Sequence, residues 1–295
     1  MTADNHSIKA TAIVVLAGIF WGFYWLPVRQ LAGLGLDGAW GTLAITAAAV
    51  ILLLPFAWRG RARLAAASPL AVCSVALGGV AFVLYSVGFL YGRVAVVVIL
   101  FFLTPLWSTL LGRFVMGWPL TQSRVLALIF GIAGLAWMLG ADGATPLPQG
   151  PGEWLGLASG ALWAVATTGI RSRASLAPPD AAFVFAAGAT VGALCFALGS
   201  GHRPDVTHIG QAVVMAVVAG GLWWALSMAG LLWAAARLEP ARVGILLMAE
   251  VIVGAVSAAI IANEPIGQAE LIGGALVLCA GICEVWPARA TKPLG

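Results

Sequence analysis

A chain that carries one pattern twice is constrained to fold as two copies of one unit. Here Gly18, Trp21 and Arg29 return as Gly160, Trp163 and Arg171, and Gly78, Gly79, Gly88 and Tyr91 return as Gly220, Gly221, Gly230 and Trp233, all shifted by 142 positions. Asp37 returns as Asp180, and after a short insertion near Arg237 to Pro240 the pair Pro119 and Gln122 returns as Pro265 and Gln268, shifted by 146. Ordered blocks with one offset and one insertion define two homologous halves, residues 10–141 and 152–287.

The solvent of these halves is a bilayer. With 62% hydrophobic residues, 9% charged and a mean hydropathy of +1.02, the chain lacks the polar surface a soluble domain needs. Its apolar runs are continuous instead of alternating, which excludes a β-barrel. Runs bounded by Arg, Pro, Gly and acidic residues give ten spans, near 11–31, 39–58, 70–92, 94–115, 122–141, 153–172, 181–200, 209–235, 242–262 and 269–286. The first is too long for a signal-peptide core and no small-residue cleavage site follows it, so it is kept as a helix. Cys73, Cys195, Cys279 and Cys283 fall inside apolar runs, where they are expected to act as small buried hydrophobes, with no disulfide framework and no metal.

Orientation follows from the cations. With a cytoplasmic N-terminus the inner side collects Lys9, Arg59, Arg61, Arg63, Arg113, Arg124, Arg171, Arg173, Arg237, Arg242, Arg289 and Lys292, and the outer side keeps Arg29, Arg93 and Arg203. Twelve against three is a positive-inside distribution that puts both termini in the cytoplasm. The acidic residues Asp37, Asp142, Glu153, Asp205, Glu264 and Glu270 then lie outside. Five spans per half is an odd number, so the second half enters the membrane from the opposite side. The fold class expected is an all-α integral membrane protein of ten transmembrane helices in two inverted five-helix repeats, whose exchange of conformations would expose one site alternately to each side.

Several motifs carry a resemblance to a known family. The first helix of each half holds Gly-x-x-Trp, in AGIFWG and SGALWA; Pro105 sits in FFLTPLW; and Glu250 stands in the ninth span, followed by NEPIG and a Gly-rich tenth span. As a set, over nearly the whole chain, these are similar to the drug/metabolite transporter superfamily and its EamA-type ten-helix members. Two positions depart: the ninth-span Glu-Pro pair reads Glu250-Val251, and Trp118 replaces an acidic residue after the fourth span. The resemblance implies a carrier of small organic molecules, often amino acids, commonly exported across a bacterial cytoplasmic membrane. It also implies that spans 1, 3, 4, 6, 8 and 9 surround a central cavity while 5 and 10 support it. Trp163 and the Pro105 region further resemble aromatic amino-acid exporters of the YddG type.

The residues themselves suggest where transport is carried. Glu250 lies mid-span, where a charged side chain costs roughly 2.5–3.5 kcal/mol on insertion scales. Either it is protonated or hydrogen-bonded within the bundle, or it faces a wet cavity and couples substrate to protons. Pro105 removes a mid-span donor and frees the Phe101 carbonyl, so the helix should bend there, with Thr104, Pro105 and Ser108 beside Phe101. Such a kink is a packing device or part of a site. Of thirteen Trp, Trp40, Trp58, Trp118, Trp154 and Trp286 lie at span ends as interface anchors. Trp21, Tyr85, Phe101, Trp107, Trp163, Trp223 and Trp224 lie deeper, where they pack helices or line a cavity to which Thr104, Thr167 and Ser227 add polar contacts. Gly18/Gly22, Gly88/Gly92, Gly156/Gly160 and Gly188/Gly192 are close-packing faces, and Arg29 and Arg171 are topology anchors, Arg29 being able to meet a carboxylate.

The function expected is a secondary exporter of small amphipathic solutes, amino acids including aromatic ones, with multidrug or metabolite efflux and a membrane channel as alternatives. Its partners are a small-molecule substrate and the lipid bilayer, with no nucleic acid and no cofactor. No Walker segment, HExxH or GxSxG occurs, and His6, His202 and His208 all lie in tails or loops, which leaves an intramembrane enzyme without parts.

Overall fold

Each apolar run stops where the sequence supplies a charge, a glycine or a proline, and in the computed structural model the helix ends fall at such residues. The structure describes residues 2–117, 120–140, 147–172, 176–201, 203–235, 237–238 and 240–285, and among these every regular element is a helix. Trp118, Pro119, Asp142, Arg173, His202, Trp286, Arg289 and Lys292, used above, lie outside them.

Span 1 is α1 (Thr2–Gly22) and α2 (Trp25–Gly33), span 2 is α3 (Ala39–Arg59), and a short α4 (Arg61–Ala66) leads to span 3, α5 (Pro69–Tyr91). Span 4 is α6 (Val94–Phe101) and α7 (Thr104–Phe114), span 5 is α8 (Gln122–Leu139), span 6 is α9 (Pro151–Ser172) and span 7 is α10 (Pro178–Gly199). Span 8 runs through α11 (Ile209–Ala219), a π-helical segment (Gly220–Ser227) and α12 (Met228–Ala235). Span 9 is α13 (Pro240–Leu247) and α14 (Ala249–Ile261), and span 10 is α15 (Gln268–Val285). Eight of the ten are long and apolar enough to cross a membrane by that measure alone; α15 is a shorter apolar helix, and α9 carries Glu153, Ser159, Thr167 and Thr168.

Three spans are broken, span 4 where Pro105 led a bend to be expected and spans 1 and 9 where continuous helices were expected. The break in span 4 at Phe102 and Leu103 precedes Pro105, whose ring excludes an α-helical donor, and the Thr104 hydroxyl donates to the freed Phe101 carbonyl at 2.7 Å. Span 9 breaks at Met248, 146 residues further on, and span 1 at Phe23 and Tyr24.

The core forms where small residues let backbones meet. α5 packs along α9 and α10, α3 along α10 and the π-helical segment, α1 along α12 and α14, α6 along α9 and α14, and α8 along α15. The glycine pairs lie in these seams as expected. Gly22 faces Val253 and Gly254, Gly92 faces Gly152, and Gly192 faces Val80. At Gly160 a β-carbon would stand 2.6 Å from the Phe101 carbonyl oxygen, so only glycine brings α9 against the freed carbonyl.

The exterior is apolar: Ile51, Trp58, Phe114, Leu226 and Ile260 are all exposed, a surface suited to lipid and not to water. The cysteines belong to it. Cys73, Cys195 and Cys279 are exposed and Cys283 is half-buried, which corrects the expectation that they are buried, because each lies on a helix face turned out of the bundle.

Candidate functional site

Aromatic side chains from six spans meet around one phenylalanine. Phe82 of α5 makes edge contacts with Trp21 (5.0 Å between centroids), Trp163 (5.3 Å), Phe101 (5.4 Å), Phe185 (5.4 Å) and Tyr85 (5.7 Å), and meets Trp224 at 6.2 Å. Edge-to-face pairs place each positive ring edge on a negative face, which favours this geometry over stacking. The breaks and the π-helical segment help to assemble it. The span 4 break follows directly on Phe101, and the widened turns at Gly220–Ser227 carry Trp223 and Trp224.

A polar thread runs beside the rings. The Trp224 indole donates to the Tyr24 hydroxyl at 3.0 Å, the Ser86 hydroxyl donates to the same oxygen at 3.4 Å, and Ser86 and Thr42 are bonded at 2.7 Å. On the other side the Tyr85 hydroxyl donates to Glu250 Oε1 at 3.0 Å. The break at Met248 puts Glu250 in the first turn of α14, so a half-helix N-terminus lies at this buried carboxylate. Glu250 is thus hydrogen-bonded within the bundle, with the Tyr85 phenol as its partner.

The remaining residues singled out from the sequence divide. Trp163 reaches a cavity described below, and Trp223 stands at the rim of the cluster, its indole donating to the Phe20 carbonyl at 2.7 Å. Thr104 and Thr167 spend their hydroxyls on helix carbonyls, Thr167 on Trp163 O at 2.9 Å. Pro105 and Ser108 are half-buried on α7. The Ser227 hydroxyl and the Trp21 and Trp107 indole nitrogens are buried with no protein partner. Tyr24, Phe82 and Phe185 were not picked out from sequence. Phenyl rings inside an apolar run carry no mark of their own.

The two ends of the bundle differ. At the end reached by α2, Asn263 adopts φ 53° and turns the chain after α14, and Glu264 pairs with Arg29 at 2.7 Å. Arg29 also donates to the carbonyls of Phe89 (2.9 Å) and Gly92 (3.1 Å) at the α5 C-terminus, while Glu264 accepts the Val94 amide (2.8 Å) at the start of α6. Arg93 pairs with Glu270 beside it. Arg29, read from sequence as a topology anchor able to meet a carboxylate, meets one from the protein itself.

At the far end of α3, about 30 Å away along a 21-residue helix, Arg63 pairs with Asp180 through Nε (2.9 Å) and Nη2 (3.3 Å). Hydrogen bonding to Asp180 raises the Arg63 guanidinium above its ordinary value. Here the bundle opens into a cavity of about 820 Å³ bordered by Arg63, Ser68 and Asp180 and lined deeper by Trp163, Phe185 and Met228. That size lies within the range of small-molecule sites.

Comparison with known proteins agrees with this architecture. Fourteen chains of solved structures match; one crystal structure superposes with a TM-score of 0.59 over 93% of this chain and 95% of its own at 20% identity, a likeness of fold alone. No curated protein sequence matches. Residues 8–140 match the EamA-like transporter family, and the apolar helical bundle is that of a multi-pass membrane protein.

Proposed function

We propose that this protein is a secondary exporter of small amphipathic organic solutes, amino acids including aromatic ones, working by alternating access in a bacterial cytoplasmic membrane with both termini inside. The observation that carries this reading is the asymmetry of the bundle. One end is crossed by the ion pairs Arg29–Glu264 and Arg93–Glu270, and its cleft of about 880 Å³ is lined by Arg93, Glu153 and Glu270 beside α8 and α15, apart from the aromatic cluster, while the cavity at the other end has Trp163 and Phe185 of that cluster in its inner wall. On the positive-inside orientation the ion-paired end is outer and the end with the aromatic-walled cavity cytoplasmic, as loading for export requires.

The pattern of packing supports two inverted repeats, 10–141 and 152–287. When spans 1–5 are exchanged with 6–10, α5 on α9 answers to α1 on α12, α5 on α10 to the π-helical segment on α3, and α6 on α9 to α14 on α1. The breaks at Phe102 and Met248 share the 146-residue offset of Pro119 and Pro265. Halves related in this way can exchange conformations at little cost, which is what moves a site from one side to the other.

Aromatic walls with few polar groups suit amphipathic solutes better than sugars, which need more hydrogen-bond partners. The test is flux into proteoliposomes with Trp, Phe, Thr and Met against a sugar and a cationic drug. Saturable, counter-stimulated amino-acid flux supports the reading; preference for the drug moves it to multidrug efflux, and a non-saturating conductance to a channel.

A further inference from the structure

Three arginines fall within five residues at the end of span 2, and the fold uses them differently. Arg61 lies over the Trp58 ring at 5.3 Å and donates to the Trp58 carbonyl at 3.2 Å, an interfacial anchor. Arg63 instead turns to the cavity mouth and meets Asp180, whose side chain is 1% exposed while that of Arg63 is 61% exposed. A surface anchor has no use for a buried carboxylate from another span.

Asp180 is held from behind. It lies in the first turn of α10, where the helix dipole favours an anion, and Gly60 leaves it room: a β-carbon there would collide with its Oδ1 and stand 2.8 Å from Arg63 Nη2. Asp180 engages Arg63 through Nε and one face of Nη2. Of the five guanidinium donors the others stay available, and the fork is fixed in direction by its first partner.

We propose that Arg63 is the receptor for the carboxylate of the transported solute, with Asp180 as its positioning residue, so that a solute enters acid end outermost and apolar end toward Trp163 and Phe185. This rests on the cytoplasmic-loading reading above. Phe185 follows Asp180 by five positions on α10, about 7.5 Å along the axis, so one small molecule bearing a carboxylate and a ring spans both contacts. Among the described residues the cavity mouth has one exposed cation with a preset fork, and the inner wall is aromatic and aliphatic. The ligand class is therefore an apolar or aromatic carboxylic acid, free amino acids included, and not an organic cation.

The test uses the full chain in nanodiscs of neutral lipid, which leave no anionic headgroup to compete for Arg63, and radiolabelled L-phenylalanine as probe. We expect 3-phenylpropionate to displace the label and phenethylamine, which lacks the carboxylate, to fail. Arg63→Gln should weaken binding at least tenfold, Arg63→Lys less, and Asp180→Asn should narrow the preference for the acid over the amine, a readout that a strut would not move. Protection of Ser68→Cys from a thiol reagent by L-phenylalanine, in a background with the four native cysteines replaced by serine, checks the location with Arg63 intact. Displacement by phenethylamine as strong as by 3-phenylpropionate, unchanged binding in Arg63→Gln, or absence of Ser68→Cys protection while L-phenylalanine binds would each overturn the assignment and leave the exporter reading standing. Failure of the wild type to bind L-phenylalanine at all would overturn both the assignment and the amino-acid reading.

Discussion

The Tyr85 hydroxyl donates to Oε1 of Glu250 across 165 positions of sequence, joining span 3 to span 9 beside the aromatic cluster. Removing the phenol oxygen leaves a buried carboxyl without its partner, which costs about 1–3 kcal/mol. We expect Tyr85→Phe to lower the midpoint of thermal unfolding in detergent, while Tyr91→Phe, altering a half-exposed tyrosine at the end of the same helix, leaves it unchanged.

Glu250 lies at mid-span depth in the first turn of the half-helix α14. Glu250→Gln keeps an acceptor for Tyr85 and removes the titrating group. Any proton dependence of flux in proteoliposomes is therefore expected to vanish with folding intact. An unchanged pH profile would remove Glu250 from coupling and leave it a structural acceptor.

Backbone contact between α5 and α10 is set by Gly79. A β-carbon there would collide with the Phe185 carbonyl and lie 2.7 Å from the Ala189 amide nitrogen, neither of which is a flexible side chain. Overpacking of this kind costs about 1–3 kcal/mol. Gly79→Ala should lower the thermal midpoint and, by moving Phe185, weaken solute binding; Gly33→Ala, with open space around it, should do neither.

The Arg29–Glu264 end rests on a charge pair that is mostly screened from water, with Glu264 14% exposed. Glu264→Gln keeps the Val94 hydrogen bond and loses the ion pair, a difference of about 1.5–3 kcal/mol for charged hydrogen bonds. Its expected effect is a population shifted toward opening at this end, read as faster labelling of Gln30→Cys by a membrane-impermeant thiol reagent added outside. Labelling at the wild-type rate would mean that the pair does not hold the end closed.

Much of this architecture was legible in the sequence because its causes are local. Hydropathy marks the spans, cations mark their ends, and Pro105 announces the break before it. The break at Phe23 and Tyr24 stands before Pro27 as that of span 4 stands before Pro105, a signal that was passed over, whereas no proline follows Met248 within α14 to announce its break. Trp21, Tyr85, Phe101, Trp163 and Trp224 stood out as deep aromatics and meet in one cluster, but its centre, Phe82, is one apolar residue among many in α5. Arg63 read as one more topology anchor, because counting cations by side cannot tell an arginine facing lipid headgroups from one paired to Asp180. The cysteines misled for a related reason. Burial in a bilayer and burial in a bundle look alike in hydropathy.

Alternating access makes the two ends depend on each other, and paired distances report this most directly. Spin labels at Gln30→Cys and Ile261→Cys span the Arg29–Glu264 end, and labels at Ala62→Cys and Ala177→Cys span the Arg63–Asp180 end, each pair in a background without the native cysteines. On adding a transported solute in nanodiscs, we expect the first distance to lengthen as the second shortens, with both states present in each sample. Distances that stay fixed, or that lengthen together, would contradict a carrier that opens one end at a time.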